Sequence, residues 1–315
     1  MKRIVPVYNA RASSGLTFVD PTRYRSGMTI VNGAGIVVTG GGGGIGRAIA
    51  RRLAADGARV VVNDLDRTAA EAVAAEVGGL AVPGDVGTDE GIDQLVTAAR
   101  KALGEIDIYC SNAGTVAGAG PETPDEQWQR AWEVNTLAHV RAARLLLPDW
   151  LARGTGTFVV TASAAGLLTM LGAAPYSVTK HAAVGFAEWL AATYAHRGLT
   201  VHCICPQGVR TQMLAGSGRA GEVVLAAAAI EPEQVADALA AALAEGSFPS
   251  GGRPPQTPPA QKRSFLVLPH PEVHDYYVHR ASDTDRWLRG MSRLQQRIDA
   301  ANAANGADDA TEETA

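Results

Sequence analysis

The feature that most restricts the fold of this chain is a regular alternation of two kinds of segment. After Met28, short runs rich in valine and isoleucine alternate with longer alanine-rich segments whose apolar residues recur at helical spacing. This alternation is typical of strand-helix units that build a parallel sheet. The predicted strands are Ile36–Val38, Arg59–Asn63, Leu80–Val82, Ile106–Cys110, Thr157–Ala162, Thr200–Ile204 and Phe265–Leu268. The predicted helices are Gly44–Asp56, Thr68–Val77, Asp89–Leu103, Asp125–Leu151, Tyr176–Arg197 and Glu233–Glu245.

The pattern predicts a single α/β domain with a doubly wound parallel sheet of about seven strands. Nearly continuous apolar strands, such as Ile36–Val38, suit a sheet that helices cover on both faces. We place this domain at residues 28–300, including a proline-rich loop at 246–263 and a C-terminal strand and helix at 264–300. We expect a disordered basic leader at 1–27, which is also compatible with a transit peptide, and a disordered acidic tail at 301–315.

Charge and cysteine content argue against several classes of protein. Lys and Arg number 28 against 32 Asp and Glu, and the net charge of -4 offers no basic field for nucleic acid or a membrane surface. Three cysteines are a sparse, odd set that fits a reducing compartment, so we expect a cytoplasmic protein. We interpret Cys203 and Cys205, two apart in a predicted strand, as core residues rather than redox or metal groups. The uncharged stretch Gly154–Thr179 contains polar residues and Pro175, which indicates a buried strand and loop rather than a membrane span.

A glycine-rich turn between the first strand and the first helix predicts a dinucleotide site. The run Thr39–Gly46 lies where backbone N–H groups and a helix N-terminus can approach a pyrophosphate, although five glycines alone also fit a flexible loop. Asp64 ends the second strand, where a carboxylate can bind both ribose hydroxyls and repel the 2′-phosphate of NADP. NAD is therefore the expected cofactor. Asp64 could instead cap the next helix, and Arg47 or Arg67 could neutralise a phosphate.

Several motifs in chain order resemble those of the short-chain dehydrogenase/reductase family. Thr39-Gly-x-x-x-Gly-Ile-Gly46 resembles its cofactor motif, Asp85-Val86 its adenine-contacting pair, and Ser111-Asn112-Ala113-Gly114 its Asn-Asn-Ala-Gly segment with one substitution. Pro206–Thr211 resembles its nicotinamide segment, with Gln207 at a glycine position. The resemblance covers residues 28–230 and implies a Rossmann-like fold, an NAD-dependent enzyme and a homodimer or homotetramer. It implies the following cofactor residues: Thr39, Gly40, Gly44, Ile45, Gly46, Asp64, Asp85, Val86, Asn112, Ala113, Gly114, Tyr176, Lys180, Pro206, Val209 and Thr211.

Four residues match the catalytic residues of that family in order and approximate spacing: Asn135, Ser163, Tyr176 and Lys180. Tyr176 and Lys180 are four apart in a helix, so they share one face, where the ammonium is expected to favour the phenolate. Tyr176 is then the general base for alcohol oxidation and the general acid for ketone reduction. Ser163 can donate a hydrogen bond to the substrate oxygen. The resemblance adds ribose binding by Lys180 and a water relay at Asn135.

Apolar residues around these positions suggest a small, apolar secondary alcohol or ketone as substrate, although they equally suit a core or a subunit interface. They are Leu167, Leu168, Met170, Leu171, Met213, Leu214, Val223, Val224 and Leu225. The segment Phe265–Glu272 and a predicted helix at Trp287–Ile298 depart from compact family members. We expect them to cover the pocket or a neighbouring subunit.

Two other functions fit parts of the sequence. One is an NADPH-dependent ketoreductase, for example of the 3-oxoacyl type, and the other is a non-catalytic NAD-sensing protein. A sensor has no chemical need for Tyr176 and Lys180, which argues against it. A metal site is suggested by three histidines near the C-terminus, His270, His274 and His279. No Cys or acidic residue completes an ordinary zinc spacing with them, so we expect no metal.

Overall fold

Seven parallel strands form a sheet in the described part of the chain. The computed structural model describes residues 31–215, 228–245 and 264–312, with side chains described up to residue 300. Within these ranges the strand order is β3-β2-β1-β4-β5-β6-β7, which reverses direction at β1 and confirms the predicted doubly wound α/β fold. The strands are β1 Gly35–Thr39, β2 Arg59–Asn63, β3 Leu80–Ala81, β4 Ile108–Ser111, β5 Gly156–Thr161, β6 Leu199–Ile204 and β7 Leu266–Val267.

Helices cover both faces of this sheet, as the apolar strands predict. The helices are α1 Gly44–Ala55, α2 Arg67–Val77, α3 Asp89–Leu103, α4 Asp125–Trp132, α5 Ala138–Arg153, α6 Ala165–Leu168, α7 Ala174–Tyr194, α8 Gln212–Ala215, α9 Pro232–Glu245, α10 Glu272–Ser282 and α11 Thr284–Glu312. One core cluster joins the sheet to α3, α5 and α7, and the other joins it to α1, α2 and α9.

The central strand β5 illustrates how the sequence specifies this packing. All six of its residues are buried, and alternate side chains point to opposite faces, so Phe158 belongs to one core cluster and Val159 to the other. Gly156 is the first residue of the strand, and the Trp150 ring packs against it. A Cβ at this position would lie 2.3 Å from that ring, so the position requires glycine. The charge-free stretch Gly154–Thr179 supplies β5 and the start of α7, as predicted, and the short helix α6 lies where a loop was expected.

The predicted helix Asp125–Leu151 is interrupted in the structure. A π-helical turn at Glu133–Leu137 separates α4 from α5 and contains Asn135. Apolar periodicity does not reveal this turn, because a single wide turn leaves the pattern on either side intact. Such turns occur frequently at functional sites.

The C-terminal part also differs from the prediction. Two helices, α10 and α11, replace the single predicted helix at Trp287–Ile298. The backbone of α11 continues through residues 301–312, for which composition predicted disorder, and its many alanines favour a helix there. The predicted leader at 1–27, the proline-rich loop at 246–263 and residues 223–225 lie outside the described residues. Within the described ranges, every helix is too short or too polar to cross a membrane.

The carboxyl ends of the parallel strands meet along one edge of the sheet. Thr39, Ser111 and Thr161 end β1, β4 and β5 at this edge, next to the point where the strand order reverses. Ligands of open α/β sheets bind at this position.

Candidate active site

A cavity of about 870 Å³ runs along this edge of the sheet. Asp64 and Leu65, which follow β2, line one end of it, and residues of α11 line the other. Its volume lies within the range of small-molecule and cofactor sites. Fifteen predicted site residues line it, namely Gly40, Gly44, Ile45, Asp64, Asp85, Val86, Asn112, Ala113, Gly114, Ser163, Tyr176, Lys180, Pro206, Val209 and Thr211.

The glycine-rich turn brings backbone close to the cavity. Gly40 and Gly44 have φ values of +60° and +49°, a conformation that favours glycine. A Cβ on Gly46 would lie 2.1 Å from the Gly40 carbonyl oxygen, so this tight turn into α1 requires glycine. The N-terminus of α1 and its free N–H groups therefore face the cavity, which fits a pyrophosphate. Gly46 itself is buried and shapes the turn without lining the cavity.

Thr39 holds this turn against the loop that follows β4. Its Oγ1 accepts hydrogen bonds from the backbone N–H groups of Asn112 at 2.9 Å and Ala113 at 3.0 Å. The Asn112 side-chain amide donates back to the Thr39 carbonyl oxygen over 3.0 Å. Thr39 is only 1% exposed and is absent from the cavity wall, so its contribution to the site is to join the two loops that line the cavity.

Asp64 lies at the cavity wall and is tied to the glycine turn. Its Oδ2 accepts a hydrogen bond from the Gly42 N–H at 2.9 Å, and its Oδ1 accepts one from the Asp66 N–H at 3.0 Å. Asp66, rather than Asp64, caps α2, since its side chain accepts from the Ala69 N–H at 3.1 Å. The carboxylate of Asp64 is therefore not a helix cap.

Both arginines that could neutralise a phosphate near Asp64 are engaged with carboxylates. Arg47 pairs with Glu76 at 3.2 Å, and Arg67 pairs with Glu71 at 3.3 Å. These exposed pairs are weak, but neither arginine is directed at the cavity wall.

Asp85 carries an arginine partner that the sequence did not reveal. Arg130 of α4 donates to its two carboxylate oxygens over 2.7 and 3.0 Å, and the Gly87 N–H adds a bond of 2.8 Å. Burial alone would raise the pKa of Asp85, but these hydrogen bonds outweigh it and the pKa is lowered. Arg130 lines the cavity, yet it lies 45 positions from Asp85, so no local pattern could identify it.

Three of the four predicted catalytic residues meet at the cavity. Ser163 follows β5, Tyr176 lies in the first turn of α7, and Lys180 follows one turn later. The Lys180 Nζ donates to the Thr161 carbonyl oxygen over 2.8 Å and lies 5.6 Å from the centroid of the Tyr176 ring. The Ser163 Oγ accepts from the Ala165 N–H at 3.1 Å, which orients the hydroxyl. The arrangement places a hydroxyl donor and a phenol beside one ammonium group.

Burial dominates the protonation of these groups. It lowers the pKa of Lys180 to about 8. It also raises the pKa of Tyr176 above its ordinary value, and a hydrogen bond with Ser163 offsets only part of that increase. Lys180 lies beside the Tyr176 ring, and the effect of its ammonium on the phenolate stays a prediction.

Asn135 lies behind the cavity wall. Its Oδ1 accepts from the Thr115 N–H at 2.8 Å, and its Nδ2 donates to the Thr115 carbonyl at 2.9 Å and to the Thr179 Oγ1 at 3.1 Å. A Cβ on Gly114 would lie 3.3 Å from this Oδ1 and 3.4 Å from the Lys180 Nζ. Asn135 therefore holds the loop beside Lys180, with both its side-chain oxygen and its side-chain nitrogen hydrogen-bonded.

A buried histidine beside this group also escaped prediction. The His139 Nδ1 lies 2.6 Å from the Ser111 Oγ, and His139 is 0% exposed. Burial and the charge of Lys180 lower the pKa of His139 to about 3, so it is neutral in the fold. Ser111, which departs from the usual Asn, thus has a partner one turn after Asn135. The one signal in the sequence for this contact is the serine at position 111, where the family usually has asparagine.

The three C-terminal histidines do not converge. His270 is buried, with Nδ1 accepting from the Gln207 N–H at 3.1 Å and Nε2 lying 3.2 Å from the Ala228 carbonyl oxygen. His274 contacts Asp275, and His279 packs on the Trp287 ring. In the part of the chain that the structure describes, no three His, Cys, Asp or Glu side chains are grouped to hold a metal ion. Cys203 and Cys205 are buried in the core, as predicted.

The far end of the cavity is apolar. The lining residues there include several that the sequence suggested and four from the C-terminal helices: Leu168, Met170, Leu171, Met213, Leu214, Tyr276, Trp287, Met291 and Leu294. Leu167 instead packs in the core at 2% exposure, and residues 223–225 lie in a range that the structure does not describe. The C-terminal helices therefore cover the cavity, which is one of the two placements that the sequence allowed.

Comparisons with known proteins agree with this geometry. The family model of short chain dehydrogenases matches residues 34–221. The chain is 38% identical to 1-deoxy-11-beta-hydroxypentalenate dehydrogenase of Streptomyces exfoliatus over 57% of this chain and 69% of that protein. It is 34% identical to meso-2,3-butanediol dehydrogenase of Serratia marcescens over 70% of this chain and 91% of that protein. The crystal structure of 3-ketoacyl-(acyl-carrier-protein) reductase from Brucella melitensis, complexed with NADH, superimposes with a TM-score of 0.66 at 26% identity, covering 76% of this chain and 96% of that chain.

Proposed function

The chain belongs to the short-chain dehydrogenase family and is an oxidoreductase that interconverts a secondary alcohol and its ketone by hydride transfer, and we propose that it uses NAD and a small, apolar substrate. The observation that carries this proposal is one continuous cavity. It joins the glycine turn and Asp64 to Ser163, Tyr176 and Lys180, and then to an apolar end.

The catalytic group acts on the substrate oxygen. The glycine turn and Asp64 would hold NAD, which would supply the hydride acceptor for the carbinol carbon. The Ser163 hydroxyl donates a hydrogen bond to the substrate oxygen, and the Tyr176 hydroxyl exchanges the proton with it. Because burial raises the pKa of Tyr176, the phenol keeps its proton and is in the protonated form that ketone reduction requires. Alcohol oxidation needs the deprotonated form, so we expect its rate to rise with pH.

Asp64 supports NAD as the cofactor. Its carboxylate lies at the cavity wall where a 2′-phosphate of NADP would approach, and like charges about 4 Å apart repel by roughly 1 to 4 kcal/mol. Arg47 and Arg67 are paired with Glu76 and Glu71 and do not counter this repulsion. The NADH complex of the Brucella reductase supports the same choice.

The charge at Asp64 and the catalytic group argue against the other two functions. An NADPH-dependent ketoreductase conflicts with Asp64, and a non-catalytic NAD sensor leaves the group of Ser163, Tyr176 and Lys180 without a purpose.

We also propose that the enzyme is a cytoplasmic homodimer or homotetramer. The buried, unpaired cysteines fit a reducing compartment. Val178 and Trp189 of α7, which are 49% and 53% exposed, offer apolar surface for a second copy.

The experiment that tests this function is a screen of secondary alcohols with NAD, followed at the nicotinamide absorbance band. We expect turnover with apolar alcohols and a weaker response with NADP. Binding of NAD without turnover of any alcohol or ketone would favour a sensor. A clear preference for NADP would favour the ketoreductase.

A further inference from the structure

The C-terminal segment adds a wall to the cavity that the matched family region does not contain. Trp287, Met291 and Leu294 of α11 are spaced four and three apart, so they share one face of that helix, and all three line the cavity. Tyr276 of α10 lines it as well. The family match ends at residue 221, so this wall is a feature of the present chain beyond that match.

This wall is fixed on the catalytic part of the protein. The strand β7 pairs with β6, and Val273 of α10 is 0% exposed in the same core cluster as Phe158. The Arg280 guanidinium donates a hydrogen bond to the Leu167 carbonyl oxygen in α6, immediately before a cavity-lining residue. Trp287 packs against the core and meets the His279 ring edge to face at a centroid distance of 6.2 Å. Helix α10 is therefore anchored to α6, which follows Ser163, and α11 packs on the core through Trp287.

The chemistry of the wall defines what it can bind. The charged residues among the described cavity lining are Asp64, Asp85, Arg130 and Lys180, of which the first three lie at the cofactor end and the fourth is catalytic. No described lining residue at the far end offers a charge for a carboxylate or phosphate. The Trp287 ring offers a flat apolar face, and methionine thioethers adapt to the ring edges of a ligand.

We propose that the helices α10 and α11 are the substrate-recognition element of this enzyme, and that they select an uncharged secondary alcohol or ketone carrying an apolar ring system. Trp287 contacts the ring, and Met291 packs along its edge. This inference rests on the proposed function, because it concerns the substrate of the same site. It narrows the substrate from apolar alcohols in general to ring-bearing ones.

The test compares two substrates and four proteins. Wild type, Trp287→Ala, Met291→Ala and the control Leu288→Ala are assayed with NAD and either 2-propanol or a fused-ring alcohol, decahydro-2-naphthol. Leu288 is on the same helix, is 58% exposed and does not line the cavity. For Trp287→Ala we expect kcat/KM to fall about tenfold to a hundredfold with the ring alcohol and less than about threefold with 2-propanol. Leu288→Ala is expected to match wild type with both.

Two further measurements keep the outcome decisive. If Trp287→Ala melts well below wild type, then Met291→Ala and Trp287→Phe supply the comparison. Calorimetric titration of decahydro-2-naphthol into the NAD-loaded proteins measures ring binding without turnover, so ring binding that requires Trp287 supports the inference even if the proposed oxidation fails. If kcat/KM of a stably folded Trp287 variant fell equally with both alcohols, the inference would be overturned. A wild-type preference for 2-propanol would also overturn it and would leave the oxidoreductase function intact.

Discussion

The carboxylate of Asp64 accepts a hydrogen bond from the Gly42 N–H over 2.9 Å, which ties the end of β2 to the glycine turn. This contact places a negative charge beside the part of the cavity where the helix N-terminus fits a pyrophosphate. The carboxylate therefore holds the turn in place, and under the proposed function it is the charge that the adenine ribose of the cofactor would meet.

Replacing Asp64 by alanine is expected to reduce the preference for NAD. Wild type should use NAD about tenfold to a thousandfold better than NADP, and Asp64→Ala should lose most of this ratio. Steady-state kcat/KM for both cofactors measures it. The control is Asp66→Ala, which removes the cap of α2 and should leave the ratio unchanged. An unchanged ratio in Asp64→Ala would remove this residue from cofactor selection.

Removing the hydroxyl of Thr39 is expected to loosen both the fold and the cofactor site. Thr39→Val leaves the N–H groups of Asn112 and Ala113 without their partner, which costs about 1 to 3 kcal/mol of unfolding free energy. Chemical denaturation and NAD titration measure the two effects. Thr39→Ser keeps the hydroxyl and should remain close to wild type. If Thr39→Val were as stable as wild type and bound NAD equally well, the proposed bridge between the loops would be wrong.

The buried His139 is expected to make the protein sensitive to acid. Its pKa is about 3 in the fold against an ordinary 6.5, so between these values the unfolded chain binds more protons and stability falls as pH falls. This difference amounts to about 2 to 3 kcal/mol between pH 7 and pH 4.5. We expect His139→Asn to show a correspondingly smaller loss of unfolding free energy over that range. Parallel curves for wild type and His139→Asn would contradict the assignment.

The sequence predicted the sheet and most of the cavity because both depend on local patterns. Valine-rich runs identify strands, and the glycine turn and the spacing of Tyr176 and Lys180 place known chemistry at strand ends. The Asp85–Arg130 and Ser111–His139 contacts could not be predicted, because each joins residues distant in the chain. The raised pKa of Tyr176 was missed for a different reason. Spacing gives the distance to an ammonium, whereas burial is a property of the whole fold.

The central claim is that Tyr176 transfers the proton in an alcohol dehydrogenase that also binds NAD. The most direct test is turnover of Tyr176→Phe with NAD and an active secondary alcohol, together with NAD affinity measured by titration. We predict that turnover falls by about a hundredfold or more, since proton transfer by a positioned group contributes that much. The NAD affinity and the melting temperature of Tyr176→Phe should remain near those of wild type. The control is Tyr194→Phe, at the far end of the same helix, whose turnover should also match wild type. Turnover of Tyr176→Phe close to that of wild type would contradict the account.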